Sequence, residues 1–420
     1  MSPLPRLALR SLWSRRLTAS LTLASITLSV ILLVGVEQLR TQARESFGST
    51  VSGTDLIVGA RTSPTQLLLS SIFRIGDVTA DLAWSSYQRI AAHPLVAWSI
   101  PLALGDSHRG YRVLGTTDAY QEHYRYGRDR SLAMAQGAWF SDLFDAVLGA
   151  DVAAALGYRI GDELELSHGT TEVSLLEHDH LPFRVSGILE RTGTPVDRTI
   201  HVSLEAIEAI HVGWEVGVPL PGRELDAETA RERELTPDRI TAFLLGLKNR
   251  AAVFQIQQAV NAYPDEALVA VLPGVALQQL WRLVGSVEQA LLLVSGFVAL
   301  AGLAGMMTML LASLSERRRE MAVLRAVGAR PAQIFLLLTA EATVLATAGA
   351  ALGTLIVYGA MAAAAPSLQA LLGVRLTPGA PASGTFLLLG AVVFGGFLSG
   401  ILPAWRAYRS SLADGLTPRS

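Results

Sequence analysis

The sequence predicts a membrane protein: four transmembrane α-helices, with a large extracytoplasmic α+β domain inserted between spans 1 and 2. Three observations predict it. Half of the 420 residues are apolar and only 17% are charged, a balance too apolar for an ordinary soluble chain and too polar for one built wholly of spans. The apolar excess is gathered into four long segments, one near the N-terminus and three in the last third of the chain. Arginines crowd some ends of those segments and are scarce at others, which orients them.

Residues 1–16 contain Arg6, Arg10, Arg15 and Arg16 and are expected in the cytoplasm. The first span, 17–36, reads LTASLTLASITLSVILLVGV, twenty residues without a charge. At about 1.5 Å per residue it crosses a hydrocarbon core of roughly 30 Å. An uncleaved signal-anchor is expected, because the run is long and Glu37-Gln38-Leu39-Arg40 offers no small-residue cleavage site. Spans two, three and four fall at 290–312, 334–365 and 385–405. Segment 313–333 holds Arg317, Arg318, Arg319, Arg325 and Arg330, and the tail 406–420 opens with Arg406 and Arg409, whereas loop 366–384 has only Arg375. Both termini and 313–333 are therefore expected in the cytoplasm, with 366–384 and the insert 37–289 outside. Lys248 is the sole lysine among 34 basic residues, a usage that suggests a GC-rich bacterial genome.

Inside the insert, Val113-Leu114, 163–166, 183–189, 199–202 and 242–247 read as short strands, several with period-two alternation. Residues 203–210 open on a capping serine and continue at helical spacing, and 251–262 has a similar pattern. Strands and helices interspersed in this way predict an α+β domain. The stretch 213–237, rich in Gly, Pro and charge, is expected to be a mobile loop. At the edges, 37–47 and 275–288 keep a helical pattern and are expected to be stalks continuous with spans one and two.

Several chemistries are excluded. There is no cysteine, so disulfides, thiolate zinc sites and cysteine nucleophiles are out. With 34 basic against 36 acidic residues, nothing supports a nucleic-acid partner. The surroundings of Lys248, Gly246-Leu247-Lys248-Asn249, do not match a phosphate-binding loop, and neither G-x-S-x-G nor H-E-x-x-H occurs. No catalytic residue and no cofactor of this chain's own is expected.

The segment between spans two and three reads Ser315-Glu316-Arg317-Arg318-Arg319-Glu320-Met321-Ala322-Val323-Leu324-Arg325-Ala326-Val327-Gly328-Ala329-Arg330, and the chain later reads Pro403-Ala404-Trp405-Arg406-Ala407. The insert contains Val147-Leu148-Gly149-Ala150, Ala154-Ala155-Leu156-Gly157, Ile160-Gly161-Asp162 and the strand 183–189. Together these resemble the MacB/FtsX/LolC permease family of ABC transporters, with its E-R-x-x-E-I-x-x-L-R-A-x-G-A segment, its P-A-x-x-A near span four and its MacB-like periplasmic core. One departure stands out: Ser410-Ser411-Leu412 replace a proline the family often has after P-A-x-x-A.

The resemblance implies a permease subunit of the mechanotransmission type. Segment 313–333 would form a short coupling helix on a cytoplasmic ABC ATPase, through Glu316, Arg317, Arg318, Arg319, Glu320, Leu324, Arg325, Gly328 and Ala329. ATP and Mg would be bound by that separate partner chain. A second permease copy, a homodimer above all, is implied, with room for a periplasmic or outer-membrane partner. Read physically, Met321, Ala322, Leu324 and Val327 lie near one helix face and the arginines largely elsewhere. That pattern also suits a plain anchor on anionic membrane lipid, worth about 1 kcal/mol per arginine. Two further readings stay open: a non-transporting, FtsX-like regulator of an envelope hydrolase, and a metal-linked envelope protein.

The remaining candidates are few. Gly349-x-x-x-Gly353 and Gly396-x-x-x-Gly400 permit close helix packing in lipid, within one subunit or across a dimer. Glu341, about two turns into span three, is an intramembrane acid whose charge needs pairing, hydration or access to the interface. His178 and His180, at i and i+2 with His168 ten residues before, are candidate metal ligands if that segment is extended; a solvated hairpin tip is the plainer reading.

Overall fold

The computed structural model describes residues 16–76, 80–127, 129–168, 181–212, 226–372 and 381–409. They fall into two compact units: residues 44–283 with 366–376, and residues 1–43, 284–365 and 377–420.

The first unit is built on a mixed sheet. Its strands are β1 (Leu56–Ala60), β2 (Val96–His108), β3 (Tyr111–Thr116), β4 (Met134–Gly137), β5 (Asp145–Leu148), β6 (Ser167–His168), β7 (Phe183–Leu189), β8 (Thr199–Ser203), β9 (Ala242–Leu247) and β10 (Leu268–Val271). The main path runs β10-β1-β9-β2-β3-β8-β5-β7-β4, with β6 added to β2 and Glu163–Leu164 to β7. Pairs β8/β3 and β7/β5 are parallel, and the others on the path antiparallel. The long strand β2 joins two halves, pairing with β9 through its first residues and with β3 through its last.

Alternation along the strands serves separate cores. In β9, Ala242 and Leu244 face a core with Ile57, Ile100, Leu102 and Tyr120, while Phe243 and Leu245 face another with Leu56, Val58, Ile256 and Val260. In β8, Ile200 and Val202 join a third core around Phe144, Leu148 and Phe183. Short helices cover these faces. Numbered after the long N-terminal helix α1 (Arg16–Ser49), they are α2 (Pro64–Ser71), α3 (Trp84–Ala91), α4 (Ala150–Leu156), α5 (Leu204–His211), α6 (Ala227–Glu232) and α7 (Val253–Asn261). The Ser203 hydroxyl caps α5 by accepting from the Ala206 N–H.

One expectation fails in this unit. Of the stretch read as a loop, 213–225 lies outside the described residues, but its second half contains the helix α6. Asp226 starts it by accepting from the Glu228 and Thr229 N–H groups, and fully buried Ala230 anchors it.

Among the described residues, the second unit contains four helices long and apolar enough to cross a membrane. They are α1, α8 (Pro273–Ala326), α9 (Pro331–Leu372) and α10 (Ser383–Arg409). Two boundaries differ from expectation. The segment 313–333 does not form a short helix of its own, because α8 continues through it to Ala326. No Gly or Pro falls between Gly305 and Gly328 to stop it, and charge alone does not end a helix. The segment 366–384 is not all loop either: α9 runs on to Leu372 and α10 starts at Ser383. The helix passes Pro366, and the Ala- and Leu-rich residues on either side of that proline carry it beyond the expected end.

Candidate functional site in the helix bundle

The interior of the bundle is set by residues without side chains. A Cβ on Gly349 would stand 2.7 Å from Ile26 Cγ2, and one on Gly353 would stand 2.8 Å from Val30 Cβ and 2.9 Å from the Thr27 carbonyl oxygen. Both therefore seat α9 directly on α1. Gly396 and Gly400 do the same for α10 on α9, where a Cβ would meet the Ala346 and Ala342 methyls at 2.2 and 2.7 Å. Gly395 of α10 receives Leu303 of α8, and Gly302 of α8 receives Ser29 of α1. The Ser29 hydroxyl adds hydrogen bonds to the carbonyls of Ser25, at 2.9 Å, and Val298, at 3.2 Å. A closed ring α1-α9-α10-α8 results, in which each adjacent pair shares a glycine contact. In lipid such close approach is what drives association, since the bilayer is as apolar as the side chains.

Around these contacts Ile26, Val30, Val34, Leu345 and Val392 form an apolar core, and Thr27, Ser29, Ser295 and Thr339 are buried among the helices as well. Glu341 is 2% exposed, one residue before Ala342 at the α10 contact.

Polar groups gather at the two ends. At one, Gln38 Nε2 donates to the Tyr358 hydroxyl at 2.6 Å and to Thr385 Oγ1 at 3.2 Å, tying α1 to α9 and α10. Beside it, buried Glu37 pairs with Arg40 at 3.3 Å. Nothing in the sequence marks these two as a tie, since a Glu-Gln pair after an apolar run reads as the point where a helix meets water. Only the return of α9 and α10 brings Tyr358 and Thr385 to it.

The other end holds the Glu316 to Ala329 segment. The side chains of Glu316, Arg317, Arg318, Arg319, Glu320 and Leu324 lie outside the described residues. Of the neighbours read onto one face, Met321 packs into a small cluster of Ile334, Leu338, Ala404 and Ala407, and Ala322 is buried, whereas Val327 is 84% exposed. The alanines of Pro403-Ala404-Trp405-Arg406-Ala407 are thus packing surfaces for the start of α9. Arg325 is half-buried. Gly328 takes φ +104°, a left-handed conformation that ends α8, with its N–H donating to the Arg325 carbonyl at 3.0 Å. Ala329 and Arg330 complete the turn, where the Arg330 N–H donates to Gln333 Oε1 at 2.9 Å and Pro331 begins α9.

In the sheet unit, His168 lies on β6 opposite Asp106 of β2, and His178 and His180 lie outside the described residues. Sequence reasoning singles out neither His201 nor Asp197. His201, on β8, is fully buried between Tyr120 and Trp139, with ring centroids 5.3 and 5.9 Å away. Burial, and then the charge of Arg74, push its pKa down to about 3, so the ring is neutral and its Nδ1 donates to the Val147 carbonyl. Asp197 is fully buried and accepts from the Thr192 N–H at 2.7 Å, the Thr192 hydroxyl at 2.8 Å and the Gly193 N–H at 2.7 Å.

Comparison with known proteins agrees with this two-part layout. The MacB-like periplasmic core domain family matches residues 19–263, and the FtsX-like permease C-terminal family matches residues 292–412. The macrolide export ATP-binding/permease protein MacB of Nitrobacter winogradskyi is 26% identical over 93% of the chain and 56% of its own length. The pyoverdine export ATP-binding/permease protein PvdT of Pseudomonas fluorescens is 23% identical over 98% of the chain and 58% of its own length. The chain thus spans about half the length of the curated relatives it matches. The periplasmic region of MacB from Actinobacillus actinomycetemcomitans aligns with a TM-score of 0.35 at 9% identity, over 55% of this chain and 94% of that one, a likeness too loose to bear on the fold. With both parts matched in order, one of them over more than half the chain, the protein belongs to the MacB/FtsX-type family of ABC transporter permeases.

Proposed function

We propose that the chain is the permease subunit of an ATP-driven transporter of the mechanotransmission type, in which a separate ATPase binds ATP and Mg and this chain carries the resulting motion to a substrate on the outer side. The observation that carries this reading is the closed bundle. Its four helices seal against each other through glycine around a largely apolar core, with buried polar residues such as Thr339 and Glu341 set among packed helices, which favours work delivered beyond the bundle over a solute path through it. In this reading all four apolar helices cross the inner membrane. The arginine distribution keeps both termini and the α8–α9 turn in the cytoplasm and the sheet unit, between spans 1 and 2, in the periplasm.

The residues from Glu316 to Ala329 would dock the ATPase, and the unbroken course of α8 into that segment as far as Ala326 favours transmission of force, since a continuous helix moves as one body. Two copies of the chain would act together. The relatives named for macrolide and pyoverdine export suggest a small exported molecule as cargo. The test replaces Glu320 by Arg, or Leu324 by Asp, in the full chain co-expressed with its ABC ATPase. Either variant should reach the membrane yet lose substrate-responsive ATP hydrolysis. Variants that retain it would reduce the segment to a lipid anchor.

A further inference from the structure

The sheet unit also holds a charged recess. It is a cavity of about 280 Å³ whose walls include Phe73, Arg74, Tyr111, Arg112, Pro195 and Arg198. Local geometry brings these together. Arg109 and Gly110 take φ of 46° and 81°, so β2 turns into β3 in two residues and delivers Tyr111 and Arg112 to the rim. Arg198 lies over the Tyr111 ring, 5.5 Å from its centroid, and Arg112 donates to the Gly76 carbonyl at 3.0 Å.

Arg74 is the unusual member. Its φ of 58° is a conformation that a residue with a Cβ adopts rarely, and only where the surroundings impose it. Although part of the residue reaches the surface, its Nε and Nη1 are buried and have no hydrogen-bond partner. Burial, opposed by the hydroxyls of Tyr120 and Tyr124, lowers its pKa, and the like charge of Arg112 lowers it further. A guanidinium nonetheless stays ionised in a protein, so this one holds its charge beneath the recess with the Tyr120 hydroxyl beside it. An anion in the recess would offset that charge.

We propose that this recess binds an oxyanion, a carboxylate or a phosphate, borne on a compact apolar or aromatic body. The anion meets Arg112 and Arg198, whose planar forks match two-oxygen acceptors, with the charge of Arg74 behind them. The body lies against Phe73, Tyr111 and Pro195. The volume is at the small end of ligand sites, which begin at about 300 Å³, so the recess takes a fragment or one end group of a larger molecule. Calling that molecule the transported substrate rests on the permease reading, whereas the site itself does not.

The experiment titrates the purified full chain, in detergent and without any ATPase, with phenyl phosphate, benzoate, inorganic phosphate and benzyl alcohol by calorimetry at low ionic strength. The expected result is saturable binding of one equivalent of phenyl phosphate or benzoate, tighter than inorganic phosphate, and none of benzyl alcohol. Arg112→Gln should weaken it about tenfold, the effect of one lost charge-assisted pair. Arg74→Gln should do the same, and because Arg74 is buried, Arg198→Gln at the half-exposed rim serves as the second variant if that chain misfolds. No binding of either acid into the millimolar range, or equal binding by the Arg112 and Arg198 variants, overturns the proposal. Inorganic phosphate binding as tightly as phenyl phosphate overturns it too, since the apolar wall would then have no role. With no ATPase present, failure here leaves the permease reading standing, and failure of ATP coupling leaves this site standing.

Discussion

The helix bundle and the sheet unit close their interiors by opposite means. In the sheet unit the largest side chains are the most deeply buried, with Tyr120, Phe183 and Phe243 almost wholly enclosed. In the bundle many of the largest side chains point outward: Leu293, Phe297, Leu355, Phe386, Leu387 and Phe394 are each more than 60% exposed, while glycines and alanines hold the closest contacts between helices. A core of big apolar residues is what water selects. An exterior of big apolar residues around a small-residue interior is what lipid selects, because burying a leucine gains nothing when the solvent is hydrocarbon. The two units are therefore folded for two solvents.

That contrast can be tested where each unit is most sensitive. The largest expected effect is acid lability of the sheet unit through His201. Its folded pKa of about 3 lies below the unfolded value of 6.5, so the unfolded chain binds the extra proton between them. Stability is then intact above about pH 6.5 and falls by about 1.4 kcal/mol per pH unit as acid is added, until the folded ring titrates near 3. Denaturation at a series of pH values should show this slope in the full chain and lose one proton's worth of it in His201→Leu. An unchanged slope would mean that the ring is already charged or accessible in the fold.

Next comes Asp197→Ala, which strips three hydrogen bonds and strands the N–H groups of Thr192 and Gly193. A loss of about 3 kcal/mol is expected, read as faster proteolysis of the sheet unit with the bundle unaffected. A smaller effect, about 2 kcal/mol, is expected for Gly353→Leu, because α1 backbone and Val30 leave no room for a side chain. Six residues on, Gly359 has nothing within 4 Å, so Gly359→Leu should be nearly neutral. Equal sensitivity of the two glycines to detergent unfolding would break the description of the bundle.

Much of this is legible in the sequence, and the limits have physical causes. Strands β7 and β9 coincide with the runs 183–189 and 242–247, because alternation in the first and a short unbroken apolar run in the second agree with a buried strand. Strand β2 is not apparent in the sequence: Pro101, Gly105 and Asp106 interrupt its pattern, and only pairing on both sides makes it continuous. The glycine pairs stand out by spacing, but spacing cannot say that Gly349 and Gly353 face α1 while Gly396 and Gly400 face α9. The arginine run in α8 suggests a separate helix, though charge affects where a helix sits more than whether it continues. The recess around Arg74 joins residues far apart in the chain, and no local pattern announces it.

In the proposed mechanism, ATP hydrolysed by a partner moves the sheet units of two copies. Because the chain has no cysteine, a single spin label at exposed Glu205→Cys reports one distance between two copies. Pulsed electron resonance on the full chain in nanodiscs with its ATPase, in the resting state and during turnover with Mg and ATP, measures that distance directly. The distribution should shift with nucleotide and return to rest when Glu320→Arg is added. An identical distribution in both states, while the ATPase is hydrolysing ATP, would contradict it.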